Sequence, residues 1–337
     1  MADRFTVNQR LQLGVESTST PGTPVTTGMK LLECYDWTLG IDGDVKFYKP
    51  TGHKYDTEQE ENTEWVAGTL GGILDYNGVL YPLASVCGSA SPVAHGPSVT
   101  AKDWIYTPPV TGSATPQTYT AQQGDAVRAH QCAYGIFMDF GYKFTRKDVS
   151  VSGKLMGQAL SDGITLGSSP TAVAMAPVAA KHINLYLDSS SGALGTTQLT
   201  RVLAGDFAFT GVYGPAFFMN RSQLSYTTHV DLAPKAVFKL KMEADANGMA
   251  PLSYLQAGTT YWLRVQGLGS AAIATDGTSS TNIYNEFRHD MAIKFNKPST
   301  FADDQGVFAI EWECQVVEDP TWGKAQVFTV TNLLTAL

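Results

Sequence analysis

Tyr134-Gly135-Ile136-Phe137-Met138-Asp139-Phe140-Gly141-Tyr142-Lys143-Phe144 decides the fold class of this chain. Tyr134, Ile136, Met138, Phe140, Tyr142 and Phe144 recur at a period of two, opposite Gly135, Asp139, Gly141 and Lys143, which is the signature of a half-buried strand. A turn at Arg146-Lys147-Asp148 follows, and Val149, Val151, Gly153 and Leu155 resume the alternation, so the stretch reads as a hairpin. The same pattern returns in Ala236–Met242, where Phe238, Leu240 and Met242 oppose Lys239 and Lys241. It returns again near the end, where Phe308, Ile310, Trp312, Cys314 and Val316 oppose Glu311, Glu313 and Gln315. An all-β protein is expected, and the composition agrees: 16% of residues are charged and glycine is abundant at 32 residues, unlike a helical bundle.

The intervening stretches set the organisation. Residues 1–27 are polar and turn-rich and read as an N-terminal arm that lies on a neighbouring surface when ordered. Residues 28–160 form a first β domain. Within it lie strand-like residues from Leu31 to Tyr48, an acidic loop from Lys49 to Thr63, a glycine-interrupted strand from Glu64 to Leu74, and a short helix around Val79–Cys87. Residues 161–180, rich in Gly, Ser, Ala and Pro, read as a linker, and residues 181–337 as a second β domain. The order of parts in the two domains is similar, which suggests a duplicated pattern. A length of 337 residues accommodates two units of ~150 residues each.

Chemistry is sparse. The net charge is -8 and no Lys/Arg cluster stands out, which argues against a general nucleic-acid-binding surface. No apolar run approaches the ~20 residues of a membrane helix, and Met1-Ala2-Asp3-Arg4 opens no apolar signal region, so cytoplasmic synthesis without membrane insertion is expected. Cys34, Cys87, Cys132 and Cys314 stand far apart and read as buried thiols. The six histidines lack metal-ligand spacing, and Gly267-Leu268-Gly269 fits neither a phosphate loop nor a dinucleotide fingerprint. Glu311 and Glu313 imitate a catalytic carboxylate pair but fit an exposed strand face better. No catalytic, cofactor or metal residue is nominated, which leaves binding or assembly.

Several short motifs resemble the tail tube proteins of long-tailed bacteriophages. They are Leu11-Gln12-Leu13-Gly14-Val15-Glu16-Ser17 with Pro21-Gly22-Thr23-Pro24-Val25, then Trp65-Val66-Ala67-Gly68-Thr69-Leu70-Gly71-Gly72, and Ser152-Gly153-Lys154-Leu155-Met156-Gly157. Phe308-Ala309-Ile310-Glu311-Trp312-Glu313 and Asp319-Pro320-Thr321-Trp322-Gly323 complete the set, in order along nearly the whole chain.

The resemblance implies a β-sandwich or half-barrel with a flanking short helix, duplicated in tandem, that completes a barrel by strand pairing between subunits. It implies a virion tail location after assembly in the host cytoplasm. The implied partners are other copies of the chain, a tape-measure protein, tail tip and tail terminator proteins, and double-stranded DNA in transit. A trimeric ring of pseudo-sixfold symmetry follows if the chain holds two units, and a hexamer if it holds one. Glu64, Asp75, Glu311 and Glu313 are then the candidates to face the lumen, where carboxylates would keep phosphates from binding. Asp56, Glu58, Glu60 and Glu61, with the arm from Arg4 to Thr27, are the candidates for contact between rings. The alternatives are another β-rich virion component, a capsid decoration protein or tail terminator, and a glycan-binding β-sandwich module or hydrolase. The last would want a groove of clustered aromatics, whereas Trp37, Trp65, Trp104, Trp262, Trp312 and Trp322 are scattered.

Overall fold

Aromatic and β-branched residues at a two-residue period dictate strands, and strands dominate the computed structural model, which describes residues 9–96, 100–166, 169–219 and 223–337. The first half of the chain supplies β1 (Arg10–Val15), β2 (Lys30–Leu31), β3 (Tyr35–Tyr48), β4 (Glu58–Ile73), α1 (Leu80–Val86), β5 (Val93–Ala94), β6 (Lys102–Tyr106), β7 (Tyr119–Gly124), β8 (Ala129–Thr145), β9 (Val149–Gly157), β10 (Ser161–Ile164) and β11 (Thr171–Ala172). The second half supplies β12 (Ile183–Asp188), β13 (Gln198–Leu199), β14 (Val202–Thr210), β15 (Tyr213–Ala216), β16 (Thr228–Asp231), β17 (Lys235–Glu243), α2 (Ala246–Met249), α3 (Pro251–Ala257), β18 (Tyr261–Thr275), β19 (Asn282–Pro298), β20 (Ala302–Asp304), β21 (Val307–Val316) and β22 (Gln326–Asn332). The protein is all-β.

One main sheet runs across both halves in the order β3-β4-β9-β8-β14-β17-β21-β19, every neighbour antiparallel. Two long strands leave it at one end to join other layers. The start of β8 pairs with β7 and β10, and through β7 with β1 and β2, whereas its end pairs with β9 and β14. The start of β19 pairs with β22, its end pairs with β21, and β18 follows its other side. β8 exchanges partners between Gly135 and Ile136 and β19 between Met291 and Ile293, and each carries a bulge just beyond, Phe137/Asp139 in β8 and Phe295/Lys297 in β19, which bends the strand further. The bulge also interrupts the expected alternation of Tyr134–Phe144. Phe137 is buried and Met138 only partly so, because the extra residue shifts the side-chain parity.

Aromatic rings from both halves fill the space behind the main sheet. His289 stacks on Phe328, with ring centroids 3.9 Å apart, and meets the Phe207 ring edge-on at 4.5 Å. Its Nδ1 lies 2.9 Å from Tyr142 Oη and its Nε2 lies 3.1 Å from Gln326 Oε1, so both ring nitrogens are satisfied without charge. Burial pulls the imidazole pKa down to about 3. Helix α1, expected around Val79–Cys87, is buried along its whole length. Ser85 Oγ accepts from Phe137 N at 2.9 Å and Tyr81 O accepts from Tyr119 Oη at 2.8 Å, which seats the helix against β8 and β7. All four cysteines are buried free thiols.

Three expectations change. Residues 9–27 of the N-terminal arm lie on this chain's own sheet: β1 sits between β2 and β7, with Leu11 and Leu13 in the core. Buried Glu16 locks this segment, accepting from Gly22 N (2.8 Å), Thr120 Oγ1 (2.9 Å) and Tyr134 N (2.9 Å). Residues 1–8 of that arm lie outside the described residues. Glu58, Glu60 and Glu61, expected in an acidic loop, belong to β4. Lys46 opposite Glu60, and Tyr48 Oη donating to Glu60 Oε2 at 3.3 Å, compensate the carboxylates and let the hairpin zip to its tip. The described part of residues 161–180, a stretch that looks like a bare connection, is tied down: β10 pairs with β8, β11 runs parallel to β2, and Val173 and Val178 are buried.

His289 binds a proton in the unfolded chain below its ordinary value of 6.5 but not in the folded protein until about 3, so stability falls as pH drops through this window. The expected slope attributable to this residue is up to about 1.4 kcal/mol per pH unit. Urea unfolding across that range checks it: His289→Gln lowers stability at neutral pH and removes this component of the acid dependence.

Candidate functional site

Alternation gives the main sheet one apolar face and one face in water. On the water face the charges are matched across strands. Lys143 stands opposite Asp206, Asp206 opposite Lys239, and Lys239 opposite Glu313, while Lys241 stands opposite Glu311. Lys241 Nζ also reaches Asp304 Oδ2 at 2.6 Å, and Lys154 Nζ lies 3.6 Å from Asp139 Oδ2. Such cross-strand pairs contribute roughly 0.2–1 kcal/mol each. Lys143, Arg146, Lys147, Lys239 and Lys241 rim a shallow concavity there, interrupted by Asp206 and Glu311.

The four candidate lumen-facing carboxylates do not share this face. Glu311 and Glu313 are on it, part-exposed, with Asn296 Nδ2 donating to Glu313 Oε1 at 3.0 Å. Glu64 is on the opposite face, two residues before buried Val66, and its Oε1 accepts from Leu160 N at 3.3 Å. Asp75 is fully buried and cannot line a surface. Its Oδ1 accepts from Asn77 N (2.9 Å) and Gly78 N (2.8 Å) at the entry to α1, and its Oδ2 accepts from Ala176 N. Burial raises its pKa, and the backbone donors only partly oppose this. Asp56, Glu58, Glu60 and Glu61 are exposed on the projecting end of the β3–β4 hairpin.

Both ends of the main sheet are open. Among the described residues β3 has a strand partner on one side only, and on the other side Leu39 N donates to Gln123 Oε1 at 2.9 Å. At the far end, Lys294–Asp304 of β19 and β20 pair with β21, and past Ile293 their other side has no strand partner among the described residues. Large apolar side chains are exposed at both ends. Ile41 is 63% exposed beside the first edge, and Phe301 (56%) and Phe308 (72%) lie in contact with each other beside the second. An unpaired row of N–H and C=O groups flanked by apolar side chains is a template for another strand.

The junction between the halves shows such an edge when filled. Strand β14 pairs with the end of β8 from Phe209–Phe140 to Ala204–Thr145. Phe207 packs on Tyr142 with centroids 5.3 Å apart, and Phe144 on Phe238 at 6.4 Å, all buried. Gly205 is required here, because a Cβ at that position would overlap the Phe144 ring. The residues that sequence reasoning missed are those at the edges. Phe308, which the alternation aligns with buried Ile310 and Trp312, is exposed instead, and Phe301 across the turn Asp303-Asp304-Gln305-Gly306 carries no signal, because nothing local marks an edge as unpaired.

Among the described residues, no helix is long and apolar enough to cross a membrane, and no group of three or more His, Cys, Asp or Glu is placed to hold a metal ion. No protein-family model and no curated protein matches the chain.

The carboxylates should separate by mutation. Asp75→Ala strands buried backbone donors and is expected to cost about 3 kcal/mol, whereas Glu313→Ala on the water face stays within about 0.5 kcal/mol. Urea midpoints of the two variants check this.

Proposed function

We propose that the chain is a structural, non-enzymatic virion protein that polymerises into stacked rings to form the tail tube of a long-tailed bacteriophage, the channel for genome delivery. The observation that carries this reading is the β8–β14 junction. The chain contains one filled strand-pairing junction and, at its two ends, the unfilled halves of another.

Register supports treating these as equivalent. Just past the bulge of β8, Asp139 faces Lys154, which faces Thr69, which faces Thr38. Just past the bulge of β19, Lys297 faces Glu313, which faces Lys239, which faces Asp206. The sequence β3-β4-β9-β8 thus corresponds to β14-β17-β21-β19, as a tandem duplication requires. Strand β3 of one copy is then suited to pair with β19 and β20 of the next as β14 pairs with β8, with Ile41 arriving opposite Pro298 and Thr38 near Phe301. Three chains of two units give a pseudo-sixfold ring, and the main sheets join into a barrel without edges.

The water face, with Glu311 and Glu313, would line the lumen. Along its strands Lys143, Lys154, Lys239 and Lys241 stand opposite or reach Asp206, Asp139, Glu313, Glu311 and Asp304, which weakens the hold of that face on passing phosphates, while Arg146 and Lys147 add positive charge at the rim. The projecting tip with Asp56, Glu58, Glu60 and Glu61 is suited to reach an adjacent ring. A tape-measure protein, tail tip and terminator proteins are the further partners this reading entails.

Electron microscopy of the purified protein, with its mass in solution, tests the proposal. Hollow tubes or stacked rings are expected; a protein that stays monomeric with tail-initiating partners present overturns it, and discrete rings that never stack point to a terminator or decoration protein. Phe301→Asp and Ile41→Asp, both exposed in the monomer, should leave folding intact by circular dichroism while lowering the assembled fraction about tenfold or more.

A further inference from the structure

The part of the β3–β4 hairpin beyond Ile41 projects from the molecule as a ribbon. Asp42, Asp44, Phe47, Tyr48 and Tyr55 are all exposed on it. A two-stranded ribbon is marginal by itself and is stabilised by packing on something else.

The described part of the corresponding excursion of the second half, between β14 and β17, does not project. It turns back over the first half as soon as β14 has paired with β8. Gly211 N donates to Asp139 Oδ1 at 2.7 Å, Val212 N to Met138 O at 3.1 Å, and Gln158 Nε2 to Tyr226 O at 2.9 Å. Glu64 N donates to Leu224 O at 3.2 Å, and Tyr226 Oη to Tyr134 O. The excursion therefore clasps the unit whose edge its strand has filled.

Thr38 corresponds to Asp206 in the register traced above, so Asp42-Gly43-Asp44 corresponds to Thr210-Gly211-Val212. By the same register Lys297 corresponds to Asp139, the acceptor of the Gly211 N–H. Both partners have changed together. Where the internal clasp sets a neutral Thr-Gly-Val against an aspartate, the open ends set Asp-Gly-Asp against a lysine. Lys297 is exposed, and so are Lys294 on the same strand and Lys235 at the start of β17.

We propose that Asp42 and Asp44 at the root of this ribbon dock on Lys297 of a second copy of the chain, so that the ribbon clasps its neighbour sideways within a ring. The inference rests on the ring-forming reading above and specifies a contact within that ring. The root thus serves ring closure, leaving the glutamate-rich tip for contact along the tube.

Charge reversal tests the contact, because like charges set face to face across an interface cost several kcal/mol and 1.4 kcal/mol is tenfold. Lys297→Glu is expected to lower the ring fraction at fixed protein concentration at least about tenfold, read by mass in solution, with circular dichroism unchanged. Asp42→Lys with Asp44→Lys should do the same, and the three substitutions combined should restore rings to within roughly twofold of wild type, the coupling that a double-mutant cycle reports. Lys297→Glu assembling like wild type, or a combination that rescues nothing, overturns the clasp. Variant rings of normal mass that fail to stack overturn it too, by placing the root between rings. A wild-type chain that never forms rings removes the underlying reading as well, whereas wild-type rings indifferent to Lys297 remove the clasp alone.

Discussion

A strand at the end of a sheet exposes backbone donors and acceptors that water satisfies only until another strand displaces it. Everything in this molecule is arranged around that constraint. β14 would be such an edge if the second half stood alone, and β8 would be one if the first half did; their pairing removes both and buries Tyr142, Phe144, Phe207 and Phe238 around the seam. The main sheet still begins at β3 and ends at β19 and β20. These two ends are different surfaces, one bearing Ile41 and Leu39, the other Phe301 and Phe308, so a contact between them is head-to-tail. Head-to-tail contacts build rings when the rotation closes and filaments when it does not.

Two crossing strands make this geometry possible. A strand as long as β8 or β19 would otherwise extend one flat sheet, but each passes from one layer to the other, and an inserted residue just past the crossing, beyond Phe137 and beyond Phe295, adds to the bend. The two layers enclose the aromatic cluster around His289, whose nitrogens are both satisfied by neutral partners. A hydrogen-bonded polar ring in that position ties β8, β19 and β22 into one register, because a slip of any of them would leave a buried nitrogen without a partner.

Much of this was legible in the sequence. The alternations in Ala236–Met242 and Phe308–Val316 mark β17 and β21 and assign Lys239, Lys241, Glu311 and Glu313 to one wet face, since side-chain parity in a paired strand is unforgiving. The helix at Leu80–Val86 was legible for its length and apolarity. Asp75 was not, because its burial depends on backbone donors at Asn77, Gly78 and the distant Ala176, and no local pattern announces a partner a hundred residues away. The start of β4 was hidden by its glutamates, which suit a loop until Lys46 and Tyr48 are placed across from them. The bulge at Phe137 leaves no mark in composition at all, and the open edges belong to topology.

The four cysteines give the molecule an internal clock. Cys132 lies in the part of β8 that joins β7, Cys34 precedes β3 and sits beside Gly78 at the entry to α1, Cys87 follows α1, and Cys314 lies in β21 within the main sheet, all buried as protonated thiols whose pKa values burial raises. A thiol reagent in solution therefore reacts only with molecules that have opened locally. Because the four positions sample different layers, their labelling rates would rank which layer loosens first. The rates would also register any seam that tightens when neighbouring copies arrive.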